Sequence, residues 1–257
     1  MSMDESCRPF WAIRVGSYGM IATRLVALLG LTWFLCISHL DFSLSQLFYD
    51  STKGHWIYAL QPPWSWIDNY GRWPAIAMVT FGGFGTLLGL IDQRRRTLGA
   101  HALCLMCVFA LGPGLVINGI LKTAWGRPRP AQLREFRGEY PYHSVWEFGD
   151  NRNMCRSFCS GHASMGFYLF TPAFLMWRRW PRSASRVFLG GLIFGGLMGF
   201  SRVIQGQHFI TDILWSAVIC YSVGWSVAET IHHLFLRESN AELIVPIPDS
   251  HQQRRAA

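Results

Sequence analysis

The chain has 257 residues, of which 51% are hydrophobic and only 15% charged, with a formal net charge of +8. Soluble domains carry roughly 25% charged residues, so this composition excludes an ordinary soluble enzyme. The positive balance does not point to nucleic acid, and no nucleic-acid partner is expected: the basic clusters sit at the edges of apolar segments, without a basic patch interleaved with aromatics.

Taken in chain order, six segments are apolar enough to read as membrane helices, a bilayer core requiring about 20 residues at 1.5 Å each. They fall at 20–40, 73–92, 99–121, 163–177, 186–203 and 210–235, the fourth and fifth being short. One such segment alone would suit a buried helix of a soluble protein. Six, with charges confined to the gaps, predict an all-α integral membrane bundle. Residues 1–240 are expected to form one transmembrane domain and 241–257, with Pro246 and Pro248, a flexible cytoplasmic tail.

Basic residues in the connections predict the orientation. Arg8, Arg14 and Arg24 precede or open the first span, and Arg94, Arg95 and Arg96 join the second to the third. Arg178, Arg179, Arg182 and Arg186 join the fourth to the fifth, and Arg237, Arg254 and Arg255 follow the sixth. With six crossings these sets share one side, which the positive-inside rule makes cytoplasmic, with both termini inside.

Residues 41–72 fall on the opposite side and are rich in aromatics: Phe42, Phe48, Tyr49, Trp56, Tyr58, Trp64, Trp66 and Tyr70, broken by Pro62-Pro63. Trp and Tyr favour the headgroup level, so this stretch reads as an outward, interfacial segment. Pro113 and Pro172 are expected to kink their spans. Gly191, Gly195 and Gly199, like Gly85 and Gly89, form small-residue stripes that let helices approach. Cys155 and Cys159 share an outward loop, where a bridge between them would brace the entry to Ser160, although spacing alone leaves the pairing open.

Three polar islands remain, each at the end of an apolar segment. The first is Lys122 to Pro130 (KTAWGRPRP), the second Ser160-Gly161-His162, and the third Ser201 to Asp212 (SRVIQGQHFITD). Lys122, Arg129 and Arg202 would each cost about 2.5–3.5 kcal/mol at mid-bilayer. At span ends on one face they instead suit a bound dianion, since Arg offers forked donors to phosphate oxygens and Lys a compact charge. Ser160 suits an N-cap, and Gly161 lets the backbone come close to an oxygen beside the positive end of a helix. His162 faces a helix bundle with an ionisable ring, which marks a functional position. His208 and Asp212 are four apart, so a helix places them on one face, with the carboxylate selecting the tautomer and leaving one imidazole nitrogen free to attack phosphorus.

Written together, Lys-x6-Arg-Pro (Lys122, Arg129, Pro130), Ser-Gly-His (160–162) and Ser-Arg-x5-His-x3-Asp (Ser201, Arg202, His208, Asp212) resemble the tripartite signature of the type-2 phosphatidic acid phosphatase superfamily. The resemblance implies that His208 is the nucleophile and forms a phosphohistidine, that Asp212 orients it, and that His162 protonates the leaving alkoxide and then activates water. It further implies that Lys122, Arg129, Arg202, Ser160 and the Gly161 amide hold the phosphoryl oxygens, and that no metal or other cofactor is needed. Cys159 stands where the family usually has Pro, so that a Cys155–Cys159 bridge, if formed, would stiffen this entry in its place. The runs Trp125–Pro130 and Cys155–Phe167 are similar to those of bacterial lipid A 4′-phosphatases. The expected protein is thus a metal-independent phosphatase in the bacterial inner membrane, its site facing the periplasm. Lipid A or another phospholipid is the expected substrate. Undecaprenyl pyrophosphate or phosphatidylglycerophosphate hydrolysis, or transfer of phosphate to another lipid, would use the same residues. Arg127 is assigned either a further phosphate contact or a place at the headgroup surface.

Overall fold

The computed structural model describes residues 26, 29–35 and 37–236. Residues 20–25, 27, 28 and 36 of the span expected at 20–40, and the whole of the tail expected at 241–257, lie outside the described residues; residues 29–35 of that span are helical. Within the described residues the chain is mostly helical. Among the described residues the one sheet is an antiparallel pair, β1 (Tyr49–Asp50) and β2 (His55–Trp56). Before it comes α1 (Leu40–Gln46), and after it α2 (Trp64–Tyr70) and α3 (Trp73–Ile91). The remaining helices are α4 (Arg96–Phe109), α5 (Gly161–Tyr168), α6 (Thr171–Met176), α7 (Pro181–Ile204) and α8 (Ile210–Ile231).

Among the described residues, four stretches are long and apolar enough to cross a membrane: Trp64–Ile91, Gln93–Ala124, Pro181–Ile204 and Ile210–Phe235. They answer to the second, third, fifth and sixth expected spans. Large apolar side chains on them point outward, Phe81 at 75% and Leu90 at 72% exposed, as suits a surface against lipid.

Both prolines alter their helices, and the chemistry explains how. A proline has no N–H to give the preceding turn and crowds its carbonyl. Around Pro113 the chain of α4 continues as a π-helix, Ala110–Leu121, before one last α-turn, Lys122–Ala124. The Pro113 carbonyl is taken by Asn118 Nδ2 at 2.6 Å. At Pro172 the effect is larger. The span expected at 163–177 is two short helices, α5 and α6, with the Tyr168 carbonyl satisfied by the Thr171 hydroxyl at 2.6 Å.

The small-residue stripe of α7 packs as its spacing predicts. A Cβ on Gly191 or Gly195 would collide with Phe170 or with the Phe167 ring, and one on Gly199 with Ile213. These close approaches press α5 and α8 against α7, over a core that includes Ile117, Phe158, Cys159, Val203 and Cys220. A second core lies between α3, α4 and the far half of α8, around Cys104, Val108 and Tyr168.

At one end of the bundle the loops gather into a cap. Tyr49 and Trp56 from the hairpin, Phe42 of α1, and Phe136, Tyr142 and Phe209 form one aromatic cluster. The aromatic-rich 41–72 segment therefore divides. Phe42, Tyr49 and Trp56 cover the polar islands, while Trp66 and Tyr70 stay exposed, at 61% and 64%. The exposed arginines Arg94, Arg95, Arg178 and Arg179 lie in the connections at the opposite end.

Candidate active site

The three islands converge beneath this cap. The Lys122 ammonium lies within electrostatic range of Arg129, Arg202 and Asp212, and also of Arg156. The His208 ring feels Asp212, Lys122 and Arg202. The His162 ring feels Arg202 and His208. Side chains drawn from residues 122 to 212 thus lie within electrostatic range of one another.

Two local devices put the third island in place. Helix α7 stops at Gln205 because Gly206, at φ +67, adopts the left-handed conformation in which other residues are strained. The indole of Trp56 occupies the space a Cβ on Gly206 would need. Gly206 returns its carbonyl to Ala131 N at 2.8 Å, which ties the third island to the first. Helix α8 then begins after Phe209, with Asp212 in its first turn.

Asp212 is fully buried, and four donors meet its carboxylate. Oδ1 accepts from Arg127 Nη1 at 2.7 Å. Oδ2 accepts from the Ser157 hydroxyl at 2.6 Å and from Phe209 N at 3.1 Å, and lies 3.4 Å from His208 Nδ1. With Nδ1 toward the carboxylate, the imidazole carries its proton there and leaves Nε2 with a lone pair. Burial holds His208 down at about 4, outweighing the pull of Asp212, so the ring is neutral at physiological pH.

Arg127 departs from both roles expected of it. It neither faces the phosphate pocket nor lies at the headgroup surface, but is 0% exposed. Its guanidinium bonds Asp212 and Thr211 through Nη1, Asp41 through Nη2 at 2.7 Å, and the His143 carbonyl through Nε. It also lies 4.1 Å from the centroid of the Phe209 ring. The two buried carboxylates raise its already high pKa, against the opposing effect of burial.

The two remaining arginines are each held by one nitrogen. Arg129 donates from Nη1 to Gln207 Oε1 at 2.9 Å, and Arg202 from Nη1 to Gln205 Oε1 at 2.8 Å and to Asp68 Oδ1. The buried Nε of each finds no hydrogen-bond partner. Buried donors are ordinarily paired, and the Nε edge of a guanidinium is one that binds a phosphate oxygen pair.

Ser160 caps α5, its hydroxyl oxygen accepting from Ala163 N at 3.3 Å. The space beside Gly161 is filled by the Asn118 amide, whose oxygen would lie 2.6 Å from a Cβ there. That close approach accounts for the glycine without a ligand. His162 projects half-buried, with Nε2 3.4 Å from Asp68 Oδ1. Burial, then Arg202, hold this ring at about 4.

Cys155 and Cys159 are not bridged; both are free and buried. Cys159 belongs to the apolar core with Phe158 and Cys220, and burial drives its thiol well above the ordinary range. Among the described residues no group of three or more His, Cys, Asp or Glu side chains is placed to hold a metal ion.

Sequence reasoning missed Asp41, Asp68, Ser157, Gln205 and Gln207. A signal for the first two was present, since they are carboxylates in an aromatic-rich segment. For Gln205 and Gln207 the signal was their alternation around Gly206 just before His208.

A model of the PAP2 superfamily matches residues 101–235, more than half of the chain, as the three motifs predicted. The lipid A 4′-phosphatase of Francisella tularensis subsp. novicida is 28% identical over 217 residues, covering 82% of this chain and 94% of that protein. The lipid A 4′-phosphatase of Rhizobium etli is 30% identical over 144 residues, 52% of this chain and 50% of that protein. That of Rhizobium leguminosarum is 26% identical over 137 residues, 52% and 55% respectively. No solved structure matches.

Proposed function

The chain belongs to the PAP2 superfamily, and on that premise we propose that it removes a phosphate from a membrane lipid, lipid A before others, through a phosphohistidine and without a metal. It is an enzyme of the phosphoric monoester hydrolase class. The observation that carries the mechanism is the pairing of unpartnered, buried guanidinium Nε atoms on Arg129 and Arg202 with a neutral, carboxylate-held His208 in one pocket. Lys122, Arg129 and Arg202 neutralise the phosphoryl oxygens, Lys122 supplying charge without directional demand. His208 Nε2 attacks phosphorus as the ester P–O bond breaks, and His162 gives the leaving oxygen a proton. Water then attacks the phosphorus, His162 takes its proton, and the P–N bond breaks to release inorganic phosphate. Ser160 and the Gly161 amide add donors at the positive end of α5.

Lipid A as the substrate is supported by the 28% identity to a lipid A 4′-phosphatase across nearly all of that protein. The membrane setting is a six-span domain through residue 240 in the inner membrane, its pocket on the periplasmic side and its termini in the cytoplasm. The exposed arginines at the end away from the pocket support that orientation.

The test is phosphate release by purified protein in detergent, given lipid A, phosphatidylglycerophosphate and undecaprenyl pyrophosphate in separate assays. Release from lipid A with loss of the 4′-phosphate, abolished in His208→Ala, is expected. Turnover undiminished in that variant would end the nucleophile assignment, and a preference for another lipid would end the substrate assignment.

A further inference from the structure

Each histidine of the pocket has a carboxylate of its own. That of His208 is Asp212, four residues on in the first turn of α8. That of His162 is Asp68, which reaches over from α2, some ninety residues earlier in the chain. One oxygen of Asp68 serves two groups: Oδ1 lies 3.4 Å from His162 Nε2 and accepts from Arg202 Nη1. We propose that Asp68 is a positioning residue for phosphoryl transfer, holding His162 and Arg202 together so that one presents a ring nitrogen to the leaving oxygen and the other its Nε edge to the phosphate. The proposal rests on the phosphatase reading of the preceding subsection.

The geometry supports this in three ways. Asp68 is not on a free loop: α2 is fixed to α7 by Trp64, whose ring centroid lies 5.3 Å from that of Phe200. Arg202 gives Nη1 to Asp68 and Gln205 and keeps its buried Nε unpartnered. A planar guanidinium pinned at one end can turn only one edge to an anion. Finally, with Nε2 on Asp68, the imidazole has Nδ1 left to donate. After Nδ1 gives up its proton, the neutral ring keeps Nε2–H on the carboxylate, so the ring does not have to reorient between the two half-reactions.

Electrostatics give the arrangement a purpose. The charged and titratable groups facing His162 are Arg202 of α7, Arg72 at the start of α3, His208 before α8, and Asp68. Among these Asp68 alone favours the protonated ring. A leaving-group acid must carry its proton in the loaded enzyme, so Asp68 and the incoming dianion act in the same direction. The competing idea is that Asp68 plugs the empty pocket, standing on Arg202 where phosphate belongs. The two ideas predict opposite behaviour once the carboxylate is removed.

The experiment uses the full chain in detergent, with the lipid phosphate that the wild type hydrolyses. Asp68→Asn keeps the shape and removes the charge. The expected result is a fall in kcat of at least about 10-fold, part of the 10²–10⁴ that acid–base catalysis contributes, with the thermal midpoint little changed. The alkaline limb of kcat should move about one unit or more to lower pH, because loss of a neighbouring anion makes the acid release its proton sooner. Asp68→Glu, which retains the charge, should restore part of the rate. A second readout needs no turnover: in the ring-¹⁵N histidine spectrum, His162 should titrate lower in Asp68→Asn and His208 should not. An unmoved His162, or unchanged kcat with tighter inhibition by inorganic phosphate, overturns the positioning role even in an active enzyme. Silence of the wild type toward every lipid phosphate, with His162 still shifting, counts instead against the phosphatase reading.

Discussion

Arg127 lies 2.7 Å from Asp212, and neither side chain has any exposed surface. With Asp41 on its other nitrogen, also at 2.7 Å and also fully buried, the guanidinium joins the segment before the second span to the carboxylate that holds His208. Burying charge is costly unless every group is matched. Here two carboxylates share one guanidinium, with Thr211, Ser157 and backbone N–H groups meeting the remaining lone pairs.

Replacing Arg127 with Met should therefore destabilise the protein by about 3–5 kcal/mol, the usual cost of leaving a buried partner uncompensated. Unfolding in detergent followed by tryptophan fluorescence would measure it. A variant as stable as the wild type would mean that the network contributes nothing to the folded state.

Acid should weaken both the fold and the activity. His208 and His162 sit at about 4 in the folded protein against an ordinary 6.5, so between those values the unfolded chain binds more protons than the native one. Stability is then fully present above about 6.5 and declines as pH falls toward 4. Thermal midpoints from pH 7.5 to 4.5 should fall in that window. In the same range kcat/KM should begin to drop as His208 gains the proton that removes its lone pair, and a His208→Ala protein should lose less stability on acidification.

If His162 protonates the leaving oxygen, its importance depends on the leaving group. His162→Gln should lower kcat on a lipid or sugar phosphate by about 10²–10⁴, the range for general acid catalysis. On an aryl phosphate such as p-nitrophenyl phosphate, whose departing oxygen needs no proton, the loss should be much smaller. Equal losses on both substrates would remove the acid role.

Gln207 touches no reacting atom in this arrangement, yet it holds Arg129 at 2.9 Å. Gln207→Leu should lower kcat/KM about 10-fold, the equivalent of one charge-assisted hydrogen bond at the lower end of its range. The effect should appear in KM more than in kcat and should be absent in an Arg129→Ala background. Steady-state kinetics on the two single variants and the double variant would decide it.

Much of the site was legible in the sequence because its chemistry is local in spacing. Only four residues separate His208 from Asp212, near enough to pair even though α8 begins at Ile210 and leaves His208 just outside the helix, and Ser160 before an apolar run makes an N-cap. The apolar lengths likewise determined four membrane-scale helices and the small-residue face of α7, since both follow from periodicity and side-chain size. Tertiary structure alone decided the role of Arg127, which sequence left between a phosphate contact and the headgroup surface and packing buried against Asp41 and Asp212. It also assigned Asp68 to His162, turned Cys159 into the core instead of toward Cys155, and broke the fourth expected span at Pro172. Each of these depends on which distant groups must share a buried volume. No spacing rule encodes that, because the energy of a buried charge is set by neighbours the chain supplies from far away.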